Sequence, residues 1–190
     1  VFLNIAYPLM PARQDEMARQ RWRLAAALAA NLFGGGMSSP LVDTVREQLG
    51  LAYTADCTMD GGDVWANFVV HAVTTPDKLD ALVTATGDLL RAQATAIDPV
   101  HLERAKNQLT VSRVRGAERT YATMEQAVEE LFASGTVTPM ADAMAMIEDI
   151  GADEVRDVFT RMLVNPAAVA VTGKGVSARM AKQLAARLGG

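Results

Sequence analysis

Residues 1–7 are β-branched, aromatic or short, and Pro8 and Pro11 follow them, so the opening run predicts a strand closed by the prolines. From Asp15 to Leu32 the chain turns to Ala, Leu, Met and Arg. Met17, Leu24, Leu28 and Leu32 fall on one helical stripe, the mark of an amphipathic helix. Gly34-Gly35-Gly36 ends it, since glycine can take the left-handed conformation that terminates helices. A short helix is predicted from Leu41 to Leu49, with Pro40 in its first turn and Gly50 past its end. Leu51 to Met59 alternates as a strand, Asp60-Gly61-Gly62-Asp63 reads as a tight turn, and Val64 to Thr74 returns as the partner strand of a hairpin. On the returning strand Val64, Ala66, Phe68, Val70 and Ala72 make an apolar face. Trp65, Asn67, Val69, His71 and Val73 make a mixed one, so one face packs on helices and the other is partly wet.

Helical periodicity then dominates from Pro76 to Leu163. Pro76 starts a helix reaching about Ala94. Asp98-Pro99 is an N-cap acceptor followed by a first-turn proline, and Leu102, Ala105, Leu109 and Ser112 continue that stripe. A helix from Glu118 to Ala133 stops at Ser134-Gly135, and another runs from Pro139 to Gly151. Val155, Val158, Phe159, Met162 and Leu163 give the i, i+3, i+4, i+7, i+8 pattern before Asn165-Pro166 breaks it. Ala167 to Thr172 is a last strand, Gly173-Lys174-Gly175 a turn, and Ser177 to Leu188 a final helix. Strands and helices do not alternate regularly. The class is therefore α+β, a mainly antiparallel sheet with helices packed on one face, rather than a doubly wound α/β domain.

Composition narrows the function classes. The chain has 190 residues, 50% of them apolar and 21% charged, with a formal net charge of −4. That suits one folded domain, 1–190, and offers no electrostatic footprint for nucleic acid or an anionic membrane. No apolar run approaches the roughly 18 to 20 residues of a membrane span. The chain opens on Val1 without an initiator Met, and is expected to be a piece of a longer polypeptide.

Most candidate chemistry is thin. The glycines at 34–36 lack the Lys and spacing of a phosphate loop, and Gly173-Lys174-Gly175 has no Ser or Thr after its Lys. Cys57, the sole cysteine, reads as a small buried hydrophobe or as a nucleophile with His71 across the hairpin. His71 and His101 are the only histidines, too few for a structural zinc site. The stretch Leu32 to Tyr53 is denser in special residues. Arg46 at the end of a short helix and Tyr53 at the start of a strand can present a guanidinium and a phenol at one sheet edge, both able to donate to a peptide carbonyl. The plainer alternative is an Arg paired with Glu47 or Asp43 and a Tyr in the core.

Leu32-Phe33-Gly34-Gly35-Gly36-Met37-Ser38-Ser39, then Val45-Arg46-Glu47 and Gly50-Leu51-Ala52-Tyr53, resemble the signature of the insulinase/pitrilysin family of zinc metallopeptidases. That family includes mitochondrial processing peptidase and bacterial relatives. The likeness is to the C-terminal, non-zinc domain of its repeating unit. Pro76-Asp77-Lys78-Leu79, Leu102 to Leu109, and Ile147 to Leu163 with Asn165-Pro166 agree in order, so the likeness covers essentially the whole chain.

The resemblance implies two such domains per half of a clam-shell. It also implies an N-terminal domain in the same parent chain and a second homologous half, as homodimer or heterodimer. Zinc and the catalytic Glu would lie in the partner half, with no cofactor, metal ligand or catalytic residue in this segment. In that family the opposite half supplies an Arg and a Tyr, six residues between them, near the scissile bond. Arg46 and Tyr53 have the same spacing here and are the implied substrate-binding residues, donating to an extended peptide while a zinc-bound water attacks. A catalytically inactive structural partner is the alternative implied role. Pro40 stands where the family usually has a basic residue, and strict alternation puts Tyr53 with Leu51, Ala55 and Cys57 on the apolar face unless a bulge rotates it.

Overall fold

A computed structural model describes residues 1–9, 16–61 and 65–188. Four strands form one antiparallel sheet: β1 (Phe2–Leu9), β2 (Thr54–Gly61), β3 (Ala66–Val73) and β4 (Ala168–Thr172), in the order β2-β3-β1-β4. Eight helices accompany them: α1 (Glu16–Gly34), α2 (Pro40–Val42), α3 (Leu79–Thr95), α4 (Pro99–Ala117), α5 (Thr120–Ser134), α6 (Met140–Asp149), α7 (Ala152–Leu163) and α8 (Ala178–Leu188). The expected α+β class, with helices on one sheet face, is what the chain adopts.

The hairpin register pairs Cys57 with Val70 and Asp56 with His71. Period-two alternation then sends Leu3, Ile5, Tyr7 and Leu9 of β1 and Ala66, Phe68, Val70 and Ala72 of β3 to one face, where all are buried. The apolar face expected on β3 is therefore the core face among the described residues. Val64, Gly62 and Asp63 lie outside them. Asp60 and Gly61, read from the sequence as part of the turn, belong to β2.

α1 and α7 lie across the inner face, α8 backs β4, and α3, α4 and α6 form the outer layer. Phe33 of α1, Phe68 of β3 and Phe159 of α7 meet at the centre, with ring centroids 6.0, 6.0 and 5.6 Å apart in tilted to edge-on geometry. Tyr7 is also fully buried, donating its hydroxyl to the Leu188 carbonyl at 3.4 Å. Burial pushes its pKa up to about 12.

Three boundaries depart from the sequence reading. β1 runs through Pro8 instead of stopping there, because β4 pairs only as far as Ala6. The Pro8 carbonyl turns to that vacant side and accepts Asn165 Nδ2 at 3.2 Å, so no ladder bond is lost by its missing N–H. Met17 leaves the apolar stripe of α1 at 69% exposure, while Leu24, Leu28 and Leu32 are buried; the first turn of the helix extends beyond the sheet. Ser112 likewise is exposed, since α4 has outrun its packing partners there. Gly34 explains how α1 sits so close to the sheet: a Cβ on it would fall 2.4 Å from the Cβ of Cys57.

Candidate functional site

Between α1 and β2 the chain reverses within one compact corner. Ser39 caps α2, accepting Val42 N–H at 3.4 Å, and its hydroxyl donates to the Gly36 carbonyl at 2.7 Å. α2 then widens. Asp43–Gln48 is π-helical, a rare form that often marks functional positions, where the sequence pattern predicted one regular short helix. Val45 is the buried residue of this turn, and Arg46, Glu47 and Gln48 point out. Gly50 takes φ +57, a left-handed conformation that reverses the chain at low cost.

Beyond that reversal the backbone folds back on the wide turn. The Val45 carbonyl accepts both Leu51 N–H (2.7 Å) and Ala52 N–H (3.2 Å). Thr74 Oγ1 donates to the Leu51 carbonyl at 2.5 Å, Lys78 Nζ donates to the Gly50 carbonyl at 2.8 Å, and Tyr53 N–H reaches the Val73 carbonyl at 2.7 Å. Tyr53 is a bend, and β2 starts one residue later, at Thr54. Alternation consequently breaks: Ala52 is buried and Tyr53 is 81% exposed, not on the apolar face that strict alternation gives it. Its hydroxyl makes no hydrogen bond among the described residues.

Arg46 is half exposed. Its Nε lies 3.3 Å from Glu47 Oε1, and its Nη1 donates to Met37 Sδ at 3.5 Å. The surface pairing with Glu47 weighed from the sequence is thus present, and the core placement weighed for Tyr53 is not. Sequence patterns missed the residues that hold this corner. Arg104 of α4 donates through Nη1 to the Ser38 carbonyl and through Nη2 to the Leu32 carbonyl at 3.1 Å; its burial lowers its pKa. Thr74, Lys78 and Arg104 are far away in sequence, and no local spacing announces their contacts.

The other candidates separate. Cys57 faces the core and its thiol is pushed up by burial, whereas His71 lies on the outer sheet face. There His71 Nδ1 meets Asn4 Oδ1 at 2.7 Å and Nε2 meets Thr58 Oγ1 at 3.3 Å, so no Cys–His dyad forms. His101 sits on α4. Among the described residues no three His, Cys, Asp or Glu side chains converge, so the donor set does not fit a zinc ion. No helix of the described residues is long and apolar enough to cross a membrane.

Two clefts lie elsewhere. One of about 850 Å³ follows α4 from Arg104 to Arg119. The other, about 870 Å³, opens between α1, Trp65 and Phe132 of α5. Neither is lined by Arg46 or Tyr53.

The sequence pattern described as "Peptidase M16 inactive domain" matches residues 3–109, more than half of the chain. A protein of Rickettsia felis named an uncharacterized zinc protease is 28% identical over 146 residues, 77% of this chain and 35% of its own length. The chain thus spans about a third of such relatives. Among solved structures, a chain of complex III2 from Candida albicans superposes with a TM-score of 0.80 at 13% identity, covering 99% of this chain and 46% of that one. A peptidase M16 inactive domain from Pseudomonas fluorescens superposes at 0.70 with 15% identity, over 88% and 40%.

Proposed function

This chain belongs to the family of peptidase M16 inactive domains, and from that membership we propose that it is the substrate-holding, non-zinc part of a zinc metallopeptidase. In this reading Arg46 and Tyr53 face an extended peptide and donate hydrogen bonds to its carbonyl oxygens. Zinc and the residues that act with it belong to a partner half, because the donors of this chain do not assemble a metal site. A second homologous half and an N-terminal domain of the same parent complete the assembly.

The observation that carries the reading is the bend at Tyr53. A tyrosine expected inside by alternation is turned out to 81% exposure with its hydroxyl unengaged, beside an arginine on a π-helical turn. Burying a phenol there would have been the cheaper use of its apolar ring. The corner is held from three elements, which keeps both donors pre-positioned rather than ordered on binding.

A second reading, an inactive structural partner with no cleavage role, has its own support. Neither cleft includes the pair, and α5 exposes Tyr121, Met124, Val128, Leu131 and Phe132, a surface suited to a neighbouring domain. Tyr53→Phe in the complete assembly decides between them. We expect turnover at saturating peptide to fall by about ten-fold or more, with assembly intact. Unchanged turnover rejects the substrate role and leaves the structural one.

A further inference from the structure

We propose that Met37 is an oxidation-sensitive modification site that controls Arg46; the proposal rests on the substrate-contact reading of Arg46. Met37 is 57% exposed, so a peroxide can reach its thioether, unlike that of fully buried Met162. Its sulfur already sits 3.5 Å from Arg46 Nη1, as a weak acceptor facing a strong cationic donor. The backbone around it is pinned. Ser39 bonds back to the Gly36 carbonyl through both its N–H (3.1 Å) and its hydroxyl (2.7 Å), and Arg104 grips the Ser38 carbonyl. Met37 therefore cannot drift from Arg46 by moving the turn; only its own side chain is free to adjust.

The chemistry is an oxygen-atom transfer. Hydrogen peroxide gives one oxygen to Sδ, the O–O bond breaks as the S–O bond forms, sulfur loses two electrons, and water leaves. The product sulfoxide carries a polar oxygen in place of a lone pair on a soft sulfur. Placed against a guanidinium, that oxygen makes a charge-assisted hydrogen bond where the thioether made a feeble one. Arg46 already has Glu47 on its Nε; with a sulfoxide on Nη1 both ends of the guanidinium are engaged within the chain. Its capacity to turn to a peptide carbonyl falls accordingly. Met17 and Met124 are comparably exposed but lie on α1 and α5, so their oxidation serves as an internal control.

The test treats the full-length assembly with hydrogen peroxide and follows oxygen uptake by peptide mass spectrometry. We expect Met37 to oxidise along with Met17 and Met124, and peptide affinity to fall about five-fold in the wild type. Met37→Leu should keep its affinity under the same treatment, and methionine sulfoxide reductase should restore the wild type. A Met37 that stays reduced while Met17 and Met124 oxidise overturns the proposal. So does an oxidised Met37 with unchanged binding, in an assembly where Arg46→Ala does weaken binding. If Arg46→Ala has no effect, the substrate-contact reading is what fails. The Arg46 Nε–Hε resonance then judges the sulfoxide contact by itself. A shift on oxidation in the wild type but not in Met37→Leu upholds it, and an unmoved resonance overturns it.

Discussion

Two phenylalanines on two helices show how differently this chain uses apolar surface. Phe159 of α7 is fully buried against Phe33 and Phe68, at the point where helix layer and sheet meet. Phe132 of α5 is 79% exposed and shares its helix with Tyr121, Met124, Val128 and Leu131, also exposed. α5 packs chiefly on α4, while α7 packs on α1, α3 and β1. The stripe on α7 is spent on the domain's own core. The one on α5 is left over, and a contiguous leftover of this kind marks a surface meant for another body. For a chain spanning a third of its relatives' length, the remainder of such a protein is the natural cover.

Substitutions can break this contrast. Phe159→Ala should have the largest effect, costing the isolated chain about 3–5 kcal/mol in urea denaturation, because it empties the centre of the aromatic trio. An intermediate effect is expected at the seam between α1 and α7. There Arg21 Nε and Nη2 bond the two carboxylate oxygens of Glu154 at 2.6 and 2.9 Å, and Glu154 Oε2 also accepts Gly151 N–H at 3.0 Å. The hydrogen bonds from Arg21 hold the Glu154 carboxyl below its usual range. A depressed folded value means stability that is present above the ordinary carboxylate pKa and lost as pH falls through the lowered one. Glu154→Gln should therefore cost about 1 kcal/mol or less at neutral pH, given the solvent screening of a side chain this exposed. That difference from wild type should vanish on acidification below about pH 4 in paired thermal melts. The smallest effect belongs to Phe132→Ser, expected to stay within about 0.5 kcal/mol in the same urea titration. It should instead reduce self-association of the isolated chain in sedimentation. A large loss of stability at Phe132 would erase the distinction between the two helices.

How legible these regions were follows from the range of the forces involved. The β3 faces, the α7 stripe and the Asp98 cap, which accepts Val100 N–H at 2.7 Å, are local, periodic effects, and they stand where the pattern put them. Met17 failed because periodicity reports a helix's apolar side but not where its packing partner ends. Tyr53 was misplaced by alternation for a different reason: the π-helical turn and the bend add backbone that no period-two or period-3.6 template contains. The residues that impose that path, Thr74 and Lys78, act from beyond the hairpin. Arg46 and Tyr53 were found through a resemblance in spacing, and their exposure then came from the fold.

Arg104 leaves one consequence. Its single guanidinium, rooted in α4, holds a carbonyl in the last turn of α1 and another in the glycine turn. That turn is thereby surveyed from two baselines at once. It cannot slide along either helix without stretching a bond to the other, so the ledge beneath Arg46 keeps its coordinates even though almost none of its own side chains anchor it.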